Sequence, residues 1–406
     1  MSLSFTSFAV AKLSDHARIQ AGFPFKSERF TSNTADVPLV KGENVQQGYV
    51  DWGASKYWPE SEADAFAEFV LGPGDVVVAM DRPWVQSGLK WAYIKEGDPK
   101  ALLVQRVAAL RARKSLDQTY LRCLISSGYF ANYIQPIVTG VNVPHISAKQ
   151  IGAFLIPLPQ LPVQRGIAAI LSAYDDLIAN NQRRIALLES MAEKIYREWF
   201  VRMRFPGHQG VQRFKGLPSS WTLKSFKDFC VLKRGYDLPD SSMQPGHYPV
   251  IASTSITGFH NEFKVNPPVI TTGRSGSLGT VLLVNKKSWP LNTALYVKDF
   301  CGNSPFLIYY TLRSLKLETF NVGAGVPTLN RNHLASLGIA VPDADLQRQF
   351  DAVLGPMNAQ ASMLAEVNEK LTVLRDALLP RLISGKLKVD HLDIQLPPSM
   401  REKVTA

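Results

Sequence analysis

No Gly or Pro interrupts the chain between Ile167 and Met203, and across that stretch Leu171, Ile178, Ile185, Ala192 and Trp199 recur every seven residues. Ile167, Tyr174, Asn181, Leu188 and Ile195 fall at the interleaved spacing. An a/d seam sustained over several heptads is the pattern of a helix that pairs with another helix. The segment opens after LIPLPQLP, where Pro162 suits a first helical turn. At 1.5 Å per residue the run from Leu161 to Val201 predicts a rod of about 60 Å. Such a rod cannot bury its stripe inside one small domain, so it needs a partner.

The same chain supplies one. From Asp345 onward Phe350, Met357, Leu364, Leu371 and Leu378 repeat every seven, with Val353, Val367 and Leu374 read as the interleaved set. Gly355-Pro356 predicts a kink or interruption in its first turns. The approaches to the two helices also match. Pro144 aligns with Pro327 and Gln164-Arg165 with Gln347-Arg348, both at an offset of 183 (327 − 144 and 347 − 164). The chain therefore reads as two copies of one unit, a globular domain followed by a long helix. The second domain joins the end of one helix to the start of the other, which favours an antiparallel pair. The expected fold is α+β: two mixed α/β domains separated by a pair of long helices forming an antiparallel coiled coil, with a pseudo-two-fold internal repeat. The expected boundaries are 1–160 and 204–342 for the domains, 161–203 and 343–390 for the helices, and 391–406 for a flexible tail.

Within the first domain, Asp75–Met80 predicts a buried strand, DRPWVQSGLKW a loop, ALLVQRVAALR a further strand and residues 117–134 a helix. The second domain echoes it: KDFCVLKRGYDLP follows DHARIQAGFPF, and NPPVITTGRSGSLGTVLLV follows GPGDVVVAMDRPWVQSGLKW, which places Arg274 opposite Arg82. Loop sequences differ between copies while the framework agrees, as expected of one scaffold turned to two targets.

The net charge of +11 points to a polyanionic partner. Three scattered cysteines, Cys123, Cys230 and Cys301, with no CxxC spacing, suit neither a zinc site nor a disulfide framework and fit a reducing cytoplasm. No signal peptide and no membrane span are expected.

Catalytic motifs are weak. Asn266-Pro267-Pro268-Val269 is similar to the tetrapeptide of amino-group methyltransferases, but Val269 cannot stack on a flipped base. Pro239-Asp240 with Glu262-Phe263-Lys264 mimics a nuclease core, without matching carboxylates in the first copy. Gly273–Gly279 lacks the lysine and hydroxyl of a phosphate-binding P-loop. It reads as a Gly-rich turn between strands, or as a place where Arg274 meets a DNA phosphate or base edge. Of the tryptophans, Trp84, in a loop between Arg82 and Gln86, departs most from core packing. A stand-alone DNA methyltransferase or nuclease is the alternative reading, and a coiled-coil adaptor that binds only protein is a third.

Several motifs in order carry a family resemblance: Ile19–Ser27, the junction Trp199–His208 with Gly216-Leu217-Pro218 and Trp221, and Arg375–Leu387. They resemble the specificity subunits of type I restriction-modification systems, over nearly the whole chain. That resemblance implies a non-catalytic subunit in a cytoplasmic complex. Its two target-recognition domains each read one half of a bipartite, asymmetric double-stranded DNA target, and its helix pair sets the spacer. It implies two modification subunits that bind S-adenosylmethionine and methylate adenine, and motor-nuclease subunits that use ATP and Mg2+. This chain itself would bind no cofactor or metal. The candidate DNA-reading residues are Lys26, Lys41, Asn44, Gln46, Arg82, Gln86, Asn142 and His145 in the first copy. In the second they are Lys233, Arg234, Ser253, Thr254, Arg274, Ser275, Asn330 and Arg331. The candidate seam comprises Leu171, Ile178, Ile185, Leu188, Ile195, Trp199, Phe350, Met357, Leu364, Leu371 and Leu378.

Overall fold

The structure is a computed structural model that describes residues 8–85, 88–138, 144–321, 323, 325, 327–389, 392–395, 397 and 400. The chain folds as two compact units, Met1–Gln182 with Glu366–Ala406, and Arg183–Ala365. Each unit takes part of each long helix, whereas the sequence set the helices apart as segments of their own. The reason is packing. Ile167, Ala168 and Leu171 join Leu379, Leu382 and Ile383 in the core of the first unit. Ala192, Tyr196 and Phe200 join Leu346, Phe350 and Leu354 in that of the second.

In the first unit an antiparallel sheet runs in the order Ala17–Ala21, Val107–Ala112, Val76–Ala79, Trp91–Tyr93. Val76–Ala79 is buried throughout, as a β-branched run in a sheet covered on both faces should be. Successive side chains alternate between two cores: Val76 and Val78 face one, Val77 and Ala79 the other. A second sheet runs Tyr57–Trp58, Val37–Val40, Ala101–Leu103, Val70–Leu71, with its central pair parallel. The apolar run ALLVQRVAALR is thus two strands in different sheets. It turns at Gln105-Arg106, where Arg106 has φ +75°. The expected helix over 117–134 is also two, Gln118–Ser126 and Gly128–Ile134, and the Ser127 hydroxyl caps the second by accepting from the Phe130 N–H.

The second unit repeats this plan. Its antiparallel sheet runs Val231–Arg234, Ala294–Asp299, Val269–Gly273, Val281–Val284. A smaller sheet runs Ile256–His260, Tyr248–Ile251, Trp289–Pro290, again with one parallel pair. Gly22 and Gly235 hold the same place. A Cβ on either would sit 2.3 Å from Val104 or 2.2 Å from Leu291 backbone atoms, so only glycine lets the two sheets approach there. The paired glutamines also do one job twice. Gln164 Oε1 accepts from the Asp117 N–H (2.8 Å) and its amide donates to Pro159 O (2.8 Å). Gln347 Oε1 accepts from the Ser304 N–H (2.8 Å) and its amide donates to Pro342 O (3.0 Å). Each glutamine fastens its own helix to the N-cap of the domain's packing helix, because Asp117 and Ser304 are those N-caps.

The long helices are Leu161–Tyr196 and Ala344–Ile383, of 36 and 40 residues. Arg197–Val201 extends the first in a π turn, with Arg202 N–H donating to Arg197 O at 2.8 Å. In each unit they run antiparallel. Within the first, Asp175 meets Arg375 (2.8 Å) and Asn181 meets Asn368 (2.9 Å), so one index falls as the other rises. Within the second, Tyr196 and Trp199 pack on Phe350, ring centroids 6.5 and 5.7 Å apart. All eleven candidate seam residues are buried or half-buried. The interleaved set on the second helix needs correcting. Val353, Val367 and Leu374 are 39, 38 and 52% exposed, and Leu354, Asn368 and Arg375 make the contacts instead. Gly355-Pro356 does not interrupt the helix. Pro356 is exposed, as is Ala352, whose carbonyl loses its usual partner to the proline, so water can satisfy it.

Candidate nucleic-acid interface

The central strand of each unit ends at an edge that its backbone ties to the loop before the long helix. In the first unit Ile146 N–H donates to Met80 O (2.8 Å) and Arg82 N–H to Pro144 O (2.7 Å). In the second, Leu329 N–H donates to Arg274 O (2.8 Å) and Gly276 N–H to Pro327 O (2.9 Å). These bonds correct the expected alignment by two residues. Arg274 stands where Met80 stands, and Arg82 corresponds to Gly276. Backbone angles agree, since Arg82 and Gly276 both have positive φ, +44° and +90°. A two-residue shift keeps each side chain on the same face of its strand, so the correction changes position along the edge.

The first edge is charged. His145 Nδ1 lies 2.5 Å from Asp81 Oδ1, and Arg106 Nε 3.3 Å from Asp81 Oδ2. Lys90 donates to Gly42 O (2.6 Å), tying in the turn that carries Lys41, Asn44 and Gln46. Burial, and then the neighbouring Arg82, hold the Lys90 ammonium below its ordinary pKa, with Glu43 acting against them. Lys41 pairs with Glu43 (2.6 Å), and the Gln46 amide donates to Glu43 O (3.2 Å). Asn44 is withdrawn from any surface role. It is 1% exposed, its Oδ1 accepts from Lys41 N–H, and its amide donates to Leu39 O and the Ser55 hydroxyl. Lys26 is exposed beside the turn Ser27–Arg29. Gln86 and Asn142 lie outside the described residues. Trp84 is 36% exposed in a small hairpin of Trp84–Val85 with Gly88–Leu89, where a loop was expected.

The second edge carries Ser275, Thr293 and Thr328 where the first has charged groups, and Arg274 where the first has Met80. Ser275 bridges Thr328 in the register that Asp81 and His145 share. Ser253 corresponds to Gly42, and its hydroxyl donates to Ser275 O (2.7 Å) or Thr293 O (3.0 Å). Arg274 reaches Asn292 O (3.2 Å), and Thr254 is exposed. Arg331 donates to Leu232 O (3.1 Å), and Asn330 caps a short helical turn through Asn332 N–H (3.0 Å), so both serve local structure. Lys233 lies over the Tyr236 ring (5.5 Å), and Arg234 pairs with Asp237 (3.6 Å). Sequence reasoning missed Asp81, Arg106, Thr293 and Thr328. Arg106 left no periodic signal because apolar runs flank the Gln105-Arg106 pair on both sides.

Val269, which closes the methyltransferase-like tetrapeptide, is 1% exposed and opens the central strand. Among the described residues no group of three His, Cys, Asp or Glu could hold a metal ion, and no helix is long and apolar enough to cross a membrane.

Comparison with known proteins gives one consistent result. The family model for the type I restriction modification DNA specificity domain matches residues 7–190 and 218–372. The chain is 30% identical over 187 residues to the type I restriction enzyme MjaVIII specificity subunit of Methanocaldococcus jannaschii, covering 46% of this chain and 44% of that one. It is 35% identical over 159 residues to the EcoAI specificity subunit of Escherichia coli, covering 39% of this chain and 26% of that one. Each of these matches spans less than half the length of the relative. Among solved structures, the type I restriction-modification S subunit from M. genitalium shares the fold at a TM-score of 0.56 and 16% identity, covering 93% of this chain and 96% of that one. With most of its length matched in two successive blocks, this chain belongs to the type I restriction modification DNA specificity family.

Proposed function

We propose that the chain is the non-catalytic, DNA-reading subunit of a type I restriction-modification complex. Each domain reads one half of a bipartite target, and the helices common to both units set the unread spacer. One observation carries this reading: a frame that recurs down to single backbone hydrogen bonds carries Asp81, Arg106 and His145 at one edge, and at the matching places of the other Ser275, Thr328 and the buried hydroxyl of Thr293. Two different base patterns are what such a pair can distinguish. Basic side chains supply salt-dependent affinity through phosphates. The adenine methylation, with its S-adenosylmethionine, belongs to two modification subunits, and ATP with Mg2+ to motor-nuclease subunits. Support for docking comes from apolar side chains left outside the seam: Val367, Val373 and Leu374 in the first unit, Leu187, Met191 and Met363 in the second.

The test is a domain exchange. Replacing residues 13–160 with the matching domain of another family member, and sequencing methylated adenines in cells that also make the modification partner, should change one half of the motif. A change in both halves, or in neither, refutes the modular reading.

A further inference from the structure

The two edges can be superposed residue by residue through their backbone bonds. Gly42 answers to Ser253, Asp81 to Ser275, Arg106 to Thr293 and His145 to Thr328. The assignments agree from separate directions. Met80 N–H donates to Arg106 O (2.7 Å) as Arg274 N–H donates to Thr293 O (2.9 Å). A Cβ on Gly42 would face Asp81 O and Arg106 O at 3.8 and 4.0 Å, and the Ser253 hydroxyl binds the corresponding carbonyls of Ser275 and Thr293. At three equivalent places, then, one copy has a carboxylate, a guanidinium and an imidazole where the other has the hydroxyls of Ser275 and Thr328 and, in place of the exposed guanidinium, the buried hydroxyl of Thr293.

We propose that Asp81 is a positioning residue for specificity: it aims Arg106, with His145, at the acceptor edge of a guanine in the first half-site, a base the second domain cannot read at its matching position. This rests on the DNA-reading function proposed above and adds the residues and base class. Arg106 is 53% exposed and sits at the turn between two strands, with φ +75°. An exposed guanidinium loses much rotamer entropy when it is fixed. Asp81, only 27% exposed, is held by the backbone bridge to His145 and accepts from both side chains, so it reduces that loss before DNA arrives. The arginine fork matches guanine O6 and N7, and Ser or Thr makes no such bidentate choice. Asp81, paired with two donors, is spent as an anchor and does not itself read cytosine.

The test uses the full chain assembled with its modification partner. After the wild-type motif is established by methylome sequencing, the initial methylation rate is measured on the cognate duplex and on duplexes substituted at each recognised base pair. Asp81→Ala and Arg106→Lys should each lower discrimination, about tenfold to a hundredfold, at one G·C position of one half-site. The other half-site should be unchanged, and Asp81→Glu should restore part of the loss. A uniform loss over all duplexes, unchanged discrimination at every position, or an effect in both halves overturns the proposal. If Asp81→Ala fails to assemble, Arg106→Lys, which keeps the charge and removes the fork, decides alone. A wild-type complex that methylates without a bipartite motif would instead overturn the proposed function.

Discussion

Asp175→Asn should destabilise the first unit and leave the second intact. Asp175, on the first long helix, accepts from Arg375 on the second (2.8 Å) and pairs with Arg122 of the domain (3.5 Å). Arg122 is the costly member. Its side chain is 10% exposed, its guanidinium stacks 4.5 Å from the Tyr93 ring centroid, and it donates to the Ser172 hydroxyl at 2.7 Å. Removing one partner of a buried pair costs about 3–5 kcal/mol, and an exposed pair about 0–1 kcal/mol. Asp175 and Arg375 are each 32% exposed, which places this cluster between the limits, at about 2–3 kcal/mol. Asparagine keeps the shape and one acceptor, so the loss is that of the charge.

Hydrogen exchange with peptide resolution is the suitable assay, because it separates the units. Protection of Gln118–Ser126, the helix that carries Arg122, should fall, while the matching helix Pro305–Ser314 holds. On an Arg122→Met background the same Asp175→Asn change should cost less than about 1 kcal/mol, since Arg375 retains Asp376 at 2.8 Å. Equal costs on both backgrounds, or equal loss of protection in both units, would refute the assignment of this cluster as a charge-dependent clasp.

Gln347→Ala should cost about 2–4 kcal/mol by stranding the buried Ser304 N–H and Pro342 carbonyl, with a similar loss for Gln164→Ala; denaturant midpoints at unchanged slope check both. Asn368→Ala should cost about 1–3 kcal/mol, because Asn181, 8% exposed, loses its amide partner. Replacing both asparagines by Leu should be more stable than either single Leu variant, again read from denaturant midpoints.

The heptads made the helices legible, and the offset of the paired glutamines made the repeat legible. The interleaved half of the second helix's seam was hidden because it carries polar residues. Asn368 and Arg375 lie where an apolar seam residue was sought, and they serve Asn181 and Asp175, while the apolar Val367 and Leu374 beside them face outward. The strand ALLVQRVAALR read as one because Leu103 and Val107 are both buried, so periodicity carries no break at the turn between them. The edge was mistaken by two residues because Gly-rich loops align by composition, while the backbone bonds to Pro144 and Pro327 fix the register. Asn44 looked like a loop donor, but its amide closes the turn it belongs to, a common fate of Asn in tight loops.

The division of labour between backbone and side chain explains how two copies of one frame can differ so sharply at one edge. The bonds that close each edge, Ile146 to Met80 and Leu329 to Arg274, run between main-chain atoms. Any side chain that tolerates an extended strand end can therefore occupy those places without loosening the frame. Framework positions behave otherwise: glycine at 22 and 235 is forced by backbone approach, and glutamine at 164 and 347 by two buried partners. Arg82 and Gly276 lie between these cases. The turn demands positive φ in both copies, glycine meets the demand freely, and arginine meets it at a cost of about 1–2 kcal/mol. A non-glycine residue held in that conformation stores strain at a charged, exposed corner. Its position beside Asp81, and its electrostatic effect on Lys90, make the first edge the one whose chemistry is held against a backbone preference.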